Sequence, residues 1–379
     1  MTTLTHANVH TVRSQRQADA NSRLADWRTP LPRCCWYVAG SPAEFSRTPA
    51  QRTLLGTSLV FYRRQDGRPV ALSNRCPHRS YPLVHGQLEG DVLRCGYHGL
   101  AFDPSGRCVD IPSQNKVPDH VCTRSWPVVE QGPFVWIWMG DDPADADPAL
   151  LPCTDWLASP DWSHVSSYLH LQTSYVYLHE NLLDLTHFTW LHPTTLGTPE
   201  YARTPCDVTV QGHCVKVARF VPECDVPPIY ARTGIVGKMS RHTRSAFMTP
   251  AVHHASAVMH DLQVPAEQRR DHTIYITHFV TPETATTTHY WFAFARNFAL
   301  NDPEVDRHMR DNALKAFNED RVALEEIARL YQQEPDAGAR EIHVQSDGAG
   351  IAARRILRQL GEQTQGFKAD TGLPHSVPQ

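Results

Sequence analysis

The sequence predicts an α+β chain of two domains, an all-β amino-terminal domain followed by a larger domain of mixed strands and helices. Three observations carry this. From Trp36 to about Gly140 the chain is strand-like and punctuated by turns. Next comes an acidic, proline-bearing linker, Asp141–Pro148. Beyond it, strands alternate with two helices that carry polar residues where a core is expected.

At 379 residues the chain is long enough for two cores. Its hydrophobic content of 41% and charged content of 20% are those of a soluble globular protein. With 36 basic and 40 acidic side chains and a net charge of −4, nothing points to nucleic acid or an anionic membrane surface. No run of eighteen apolar residues exists, so no membrane span is expected. The first residues lack the apolar core of a secretory signal and read as a loosely ordered tail over 1–30. Ten cysteines are too sparse for a secreted disulfide scaffold, and adjacent Cys34 and Cys35 are poorly placed to pair. A reduced, cytoplasmic protein is expected.

The first domain is assigned to 31–148. Runs such as Ser58–Tyr62 and Phe134–Trp138 are rich in β-branched and aromatic residues. Gln65-Asp66-Gly67, Gly86, Gly90-Asp91, Pro104-Ser105-Gly106 and Gly132-Pro133 supply the turns between strands. Within it stands the pair Cys76-Pro77-His78 and Cys95-Gly96-Tyr97-His98. Two Cys–His clips could hold a tetrahedral zinc, yet zinc clips usually open with Cys-x2–4-Cys and close with His-x3–5-His. Neither half here has that form. The mixed set also suits a [2Fe–2S] cluster with two thiolates on one iron and two imidazoles on the other. Neutral imidazoles remove negative charge and raise the potential, to roughly −150 to +300 mV.

The second domain is assigned to 149–365, with a polar tail over 366–379. Val208–Phe220, Ser256–Leu262, His272–Thr281 and Thr287–Phe294 read as strands. Residues 179–193 read as a helix on which Asn181, Asp184 and His187 share one face, surrounded by Leu182, Leu183, Leu185, Phe188 and Trp190. Burying these polar groups together is costly unless they bond one another or a metal. Pro193 disfavours helical geometry at His192, so the helix should fray and swing His192 back beside His187. Two imidazoles near a carboxylate begin a two-His, one-carboxylate site for non-haem iron(II); a buried His–Asp pair is the plainer alternative. The carboxylate comes from the helix Asp306–Tyr331, where Asp320 lies on a stripe with Ala313, Ala316, Phe317, Leu324, Ile327 and Tyr331. Glu319, Glu325 and Glu326 fall at the flank or away and read as a solvated face, with Glu319 the alternative ligand. Gly348–Ala353 fits a dinucleotide-binding glycine pattern formally, but too little chain follows for a βαβ unit. It reads as a turn before a short basic helix.

Taken together, these residues resemble the Rieske non-haem iron oxygenases, terminal components of ring-hydroxylating or demethylating systems. The resemblance runs from Trp36-Tyr37-Val38 to Ala352–Ile356. Asn181, Asp184, His187 and His192 match the family's N-x2-D-x2-H-x4-H. Thr281–Thr284, His289-Tyr290 and Ala295–Phe298 look similar to the vanillate and dicamba O-demethylase oxygenases, more than to the two-subunit naphthalene type. The resemblance implies a Rieske [2Fe–2S] domain, then a catalytic domain of helix-grip type with an antiparallel sheet and covering helices. It implies Cys76 and Cys95 on one cluster iron, His78 and His98 on the other, and mononuclear iron(II) on His187, His192 and Asp320. Asp184 would link the Rieske histidine of a neighbouring subunit to His187, in a head-to-tail homotrimer. His278 matches a substrate-binding position, although a hydrogen-bonded strand histidine reads equally well there. Electrons would come from a separate NAD(P)H-dependent flavin and iron–sulfur reductase, directly or through a ferredoxin. The substrates implied are O2 and a small aromatic, an aromatic acid being expected, hydroxylated or O-demethylated; ring cis-diol formation and N- or methyl-group oxidation are the alternative outcomes.

Overall fold

The computed structural model describes residues 17–334, 338 and 341–363. They form two compact units. One is Arg33–Cys153 with Thr281–Thr284; the other takes the described residues before Arg33, Thr154–Val280 and those from Ala285 onward.

The first unit is built from three small antiparallel sheets. β1 (Trp36–Gly40), β11 (Phe134–Trp138) and β10 (Val128–Gln131) pair in that order. β2 (Ala50–Leu54), β3 (Thr57–Arg63), β4 (Pro69–Ser73) and β9 (Ser125–Trp126) form the second sheet. β5 (Gln87–Glu89), β6 (Val92–Arg94), β7 (Ala101–Phe102) and β8 (Cys108–Asp110) form the third. Val60, Tyr62, Leu72, Leu83, Leu93 and Phe102 share one buried cluster with Cys76 and Cys95. The linker is not featureless: Asp142 and Asp147 accept from the amides of Ala144 and Ala149 and cap two short 3-10 turns.

The second unit is a seven-stranded antiparallel sheet, ordered β12 (Ser163–Leu171), β18 (Thr288–Arg296), β17 (His272–Pro282), β16 (Val252–Asp261), β15 (Lys238–Thr249), β14 (Cys214–Asp225), β13 (Asp207–Gln211). The single strand expected at Val208–Phe220 is instead a hairpin, because Gly212 takes φ +56 between β13 and β14. Among the described residues the unit also carries a helical stretch over 17–21 and the helices α1 (Tyr175–Leu183), α2 (Phe188–Leu191), α3 (Pro303–Gln333) and α4 (Gly348–Glu362). Phe317 of α3 packs on Tyr290, Phe292 and Phe294 of β18, with ring centroids 5.7, 4.7 and 5.7 Å away. The buried stripe of α3 runs Val305, Met309, Ala313, Ala316, Phe317, Asp320, Leu324, Ala328. In the last turns it drifts to Ala328, so Ile327, expected inside, is 41% exposed.

Two further expectations are corrected. Residues 17–30 are not a loose tail: Leu24 and Ala25 are buried, and the Ala25 amide donates to the Arg354 carbonyl. Residues 1–16 and the tail 366–379 lie outside the described residues. Gly348 and Gly350 form no turn but the start of α4 itself. A Cβ on Gly350 would meet Glu180 Cγ at 2.9 Å, so this glycine permits the close approach of α4 to α1. There Arg354, 4% exposed, reaches the carboxylates of Glu180 and Glu341.

Candidate metal centres

In the first unit, the two Cys–His segments fold into two loops with the same hydrogen-bond pattern. The Cys76 carbonyl accepts from Ser80 N and the Cys76 amide donates to Tyr81 O. The Cys95 carbonyl likewise accepts from Gly99 N, and the Cys95 amide donates to Leu100 O. Both loops reverse at the fourth residue after cysteine, Ser80 at φ +59 and Gly99 at φ +75. At Gly99 a Cβ would also strike Pro112 Cγ at 2.9 Å. The repeat aims two cysteines inward and two histidines outward. Cys76 and Cys95 are 2% and 3% exposed, whereas His78 and His98 are exposed with ring centroids 4.6 Å apart. Burial, with Cys95 alongside, pushes the Cys76 thiol up to about 11. Two protonated thiols packed together in a core would be an idle arrangement; two thiolates on a metal would not. The donor set fits a cluster with one buried and one solvent-facing iron. The histidines also line a cavity of about 700 Å³ with Leu100, Ile111, Gln114 and His120.

In the second unit, the long helix expected through His187 does not form. α1 stops at Leu183 because Asp184 turns its carboxylate onto Thr186, accepting from the amide at 2.7 Å and the hydroxyl at 2.6 Å. This local turn outcompetes the next helical bond. His187 then opens α2, and α2 ends at Leu191 ahead of Pro193. The break, rather than a shared helix face, brings the groups together. The rings of His187 and His192 lie 5.1 Å apart. Gly197 lets the chain fold back on α2, since a Cβ there would meet the Phe188 carbonyl at 2.1 Å.

Asp320 Oδ1 is the meeting point. His192 Nε2 stands 3.1 Å from it, His187 Nε2 3.4 Å, and the Asn181 amide donates to it at 3.0 Å. Ligand atoms of these three residues all lie within 4.8 Å of one another. Atoms bound at right angles to one ion at about 2.1 Å would sit about 3.0 Å apart, so the trio fits a divalent metal with small adjustment. Asp320 and His192 are 6% and 0% exposed. Burial raises the Asp320 pKa, but His192, His187 and Asn181 outweigh it and the carboxyl ends up lowered. For His192 burial works downward, yet Asp320 and Glu319 outweigh it and its pKa ends up raised. Asp184 is also lowered, the desolvation penalty being overcome by His187 and Thr186. Its Oδ2 is 3.7 Å from His187 Nδ1, outside hydrogen-bond range.

Glu319 is the residue that sequence reasoning misplaced. It is half-buried rather than solvated; its Oε2 lies 2.8 Å from His192 Nδ1, so that Nδ1–H donates to it and Nε2 is turned to Asp320 Oδ1. His278 is buried, shares a hydrogen bond with Tyr290 Oη through Nδ1 (2.6 Å), and stands edge-on to Phe317, one turn before Asp320.

Comparison with known proteins follows this geometry. Residues 35–126 match the Rieske [2Fe-2S] domain, and 171–363 match the vanillate O-demethylase oxygenase C-terminal domain. The chain belongs to the Rieske non-haem iron oxygenases. It is similar to the toluene-4-sulfonate monooxygenase system iron-sulfur subunit TsaM1 of Comamonas testosteroni, 40% identical over 317 residues (80% of this chain, 90% of that one). It is also similar to the dicamba O-demethylase oxygenase component of Stenotrophomonas maltophilia, 34% identical over 336 residues (86% and 97%). Dicamba monooxygenase bound to 3,6-dichlorosalicylic acid superposes with a TM-score of 0.82 at 33% identity, covering 88% of this chain and 98% of that one. This Rieske oxygenase is therefore an oxidoreductase with a [2Fe–2S] domain and a non-haem iron domain, the terminal component of a system with a separate reductase. Among the described residues no helix is long and apolar enough to cross a membrane.

Proposed function

We propose that the chain hydroxylates or O-demethylates a small aromatic acid, with the cluster held by Cys76, His78, Cys95 and His98 and the mononuclear iron by His187, His192 and Asp320. When bound, the iron and cluster supply O2 activation by stepwise one-electron reduction. The chain's own residues do the rest. Glu319 fixes the His192 tautomer, and Asn181 holds Asp320 Oδ1 in place.

The observation that carries the substrate class is the His278–Tyr290 hydrogen bond. Burial pushes His278 down to about 3 and raises Tyr290 well above its usual range, so both are neutral at pH 7. In this reading the phenol donates to Nδ1, which makes Nε2 the N–H of the ring. Nε2 has no partner among the described residues. A fixed N–H donor beside the triad suits an acceptor oxygen such as a carboxylate or sulfonate. The relatives named for toluene-4-sulfonate and vanillate agree with that class.

Attack at a methoxy carbon gives a hemiacetal that collapses to a phenol and formaldehyde. In this reading Asp184, whose side chain is 34% exposed, faces a neighbouring subunit's Rieske histidine in a head-to-tail homotrimer. The oxygenase works in the cytoplasm with its flavin and iron–sulfur reductase. The test is single-turnover product analysis on methoxylated and methylated benzoates and benzenesulfonates beside their neutral amides. Phenol plus formaldehyde, or a benzylic alcohol, from the acids alone supports the reading. Cis-diols, or equal turnover of the amides, overturn it.

A further inference from the structure

Arg219 on β14 and Arg241 on β15 are 3% and 1% exposed, and no carboxylate among the described residues lies within 4.0 Å of either guanidinium. Burying a cation without an anion is costly, so the two must be held by something else. The register pairs Arg219 with Thr243 and Val221 with Arg241, which puts both on one face of the sheet as diagonal neighbours.

Their partners all belong to, or cover, the segment bearing the two metal-site histidines. Arg219 donates to the carbonyls of Leu185 (3.4 Å), two residues before His187, and Tyr201 (2.6 Å), nine residues after His192. Arg241 donates to the Leu196 carbonyl at 3.0 Å and to Tyr230 Oη at 3.2 Å. The Leu196 amide in turn donates to the His192 carbonyl at 3.2 Å. The rings complete the link. Arg241 lies 4.9 Å from the Tyr201 centroid and 5.7 Å from that of Phe188. Tyr201 and Phe188 stack at 5.1 Å, and Phe188 meets His187 and His192 edge-on at 5.1 and 5.8 Å.

We propose that Arg219 and Arg241 are positioning residues that set the separation of His187 and His192, gripping their segment from beneath by its carbonyl oxygens. Lysine could not replace Arg241, whose Nη1 and Nη2 reach separate acceptors while its plane lies against a ring; at Arg219, Nη1 alone reaches both carbonyls, and the guanidinium sits 4.8 Å from the Tyr201 centroid, a packing that an ammonium lacks. The inference rests on His187, His192 and Asp320 being the metal ligands. An arginine that merely filled the core would not alter the metal site's spectrum.

The experiment uses the full, cluster-loaded chain with Co(II) in the mononuclear site, whose visible bands report ligand geometry. Arg241→Lys and Arg219→Lys should fold with normal cluster spectra, bind Co(II) about 10-fold or more weaker, and show shifted bands. Tyr230→Phe removes one of the two acceptors of Arg241 and should weaken Co(II) in the same direction by less. Wild-type affinity and bands in folded Arg variants would overturn the proposal. If both Arg variants fail to fold, Tyr230→Phe decides, and an unchanged site there overturns it. Asp320→Ala separates the premise from the proposal: unchanged Co(II) binding in it condemns the ligand assignment itself.

Discussion

Glu319 and His192 are joined by a 2.8 Å contact at Nδ1, while the next residue, Asp320, stands 3.1 Å from Nε2 of the same ring. Successive acids on one helix thus engage both nitrogens of one imidazole. Their roles differ by position. Asp320 is buried and meets both histidines, whereas Glu319, with its side chain 26% exposed, has His192 and Thr195 as its side-chain polar partners among the described residues. Asp320→Ala should therefore lose the mononuclear iron and keep the cluster spectrum. Glu319→Gln should retain the site with affinity reduced roughly 10- to 100-fold, the usual effect of losing a carboxylate behind a ligating histidine. Iron content per chain with parallel EPR checks this. Iron lost from the Glu319 variant and kept in the Asp320 variant would reverse the assignment.

The outward histidines give a second expectation. His78→Ala or His98→Ala should abolish the Rieske EPR signal and the red-brown colour while leaving the fold intact, because Cys76 and Cys95 hold the core side of the loops. A normal signal in both variants would rule out the cluster assignment.

How far the sequence reached depends on the range of the interactions involved. The Cys76–His78 and Cys95–His98 clips were legible because each is a short segment whose spacing alone fixes its loop. Asp320 was legible from helix phase. The break at Asp184 was not, since the Asp184–Thr186 turn and the helix compete over the same few residues with similar energies. Glu319 was misread for a different reason. Phase put it at the flank, but only the tertiary fold places His192 against that flank. Arg219 and Arg241 were invisible for the same reason: strand alternation gives a face, not what lies over it.

Three imidazoles are buried and a fourth, His254, is half-buried, and all are kept neutral: His179, His253, His278 and His254. Burial lowers each below the ordinary 6.5, to about 4 for His254. The unfolded chain binds a proton as pH falls through 6.5 and the folded chain refuses it. Stability is therefore full above pH 6.5 and falls as pH drops below it, down to about 4 for His254 and about 3 for His179 and His278. For His254 alone this is about 2 kcal/mol between pH 7 and pH 5. His254→Phe keeps the edge contact with Trp156, whose centroid is 5.0 Å away, and removes the titration. Urea unfolding at the two pH values should show the variant losing less stability on acidification than wild type. Equal losses would mean that His254 takes its proton in the folded state.

The remaining expectation concerns Asp184. Its carboxylate is held by Thr186, its pKa is lowered, and it stops 3.7 Å short of His187 Nδ1. Asp184→Asn keeps the shape and can still accept from Thr186, so both metal centres should load normally. What it loses is the charge that orients imidazoles on either side, and turnover should fall by orders of magnitude while iron content and EPR stay unchanged. Near wild-type turnover would mean that electrons take another route. Mixed assemblies test whether that route runs between chains. In a trimer combining Asp184→Asn chains with cluster-dead His98→Ala chains, some interfaces pair an intact cluster with an intact carboxylate. Partial activity should return there although neither variant is active alone. If mixing is verified by mass and no activity returns, each chain reduces its own iron and the head-to-tail arrangement is wrong.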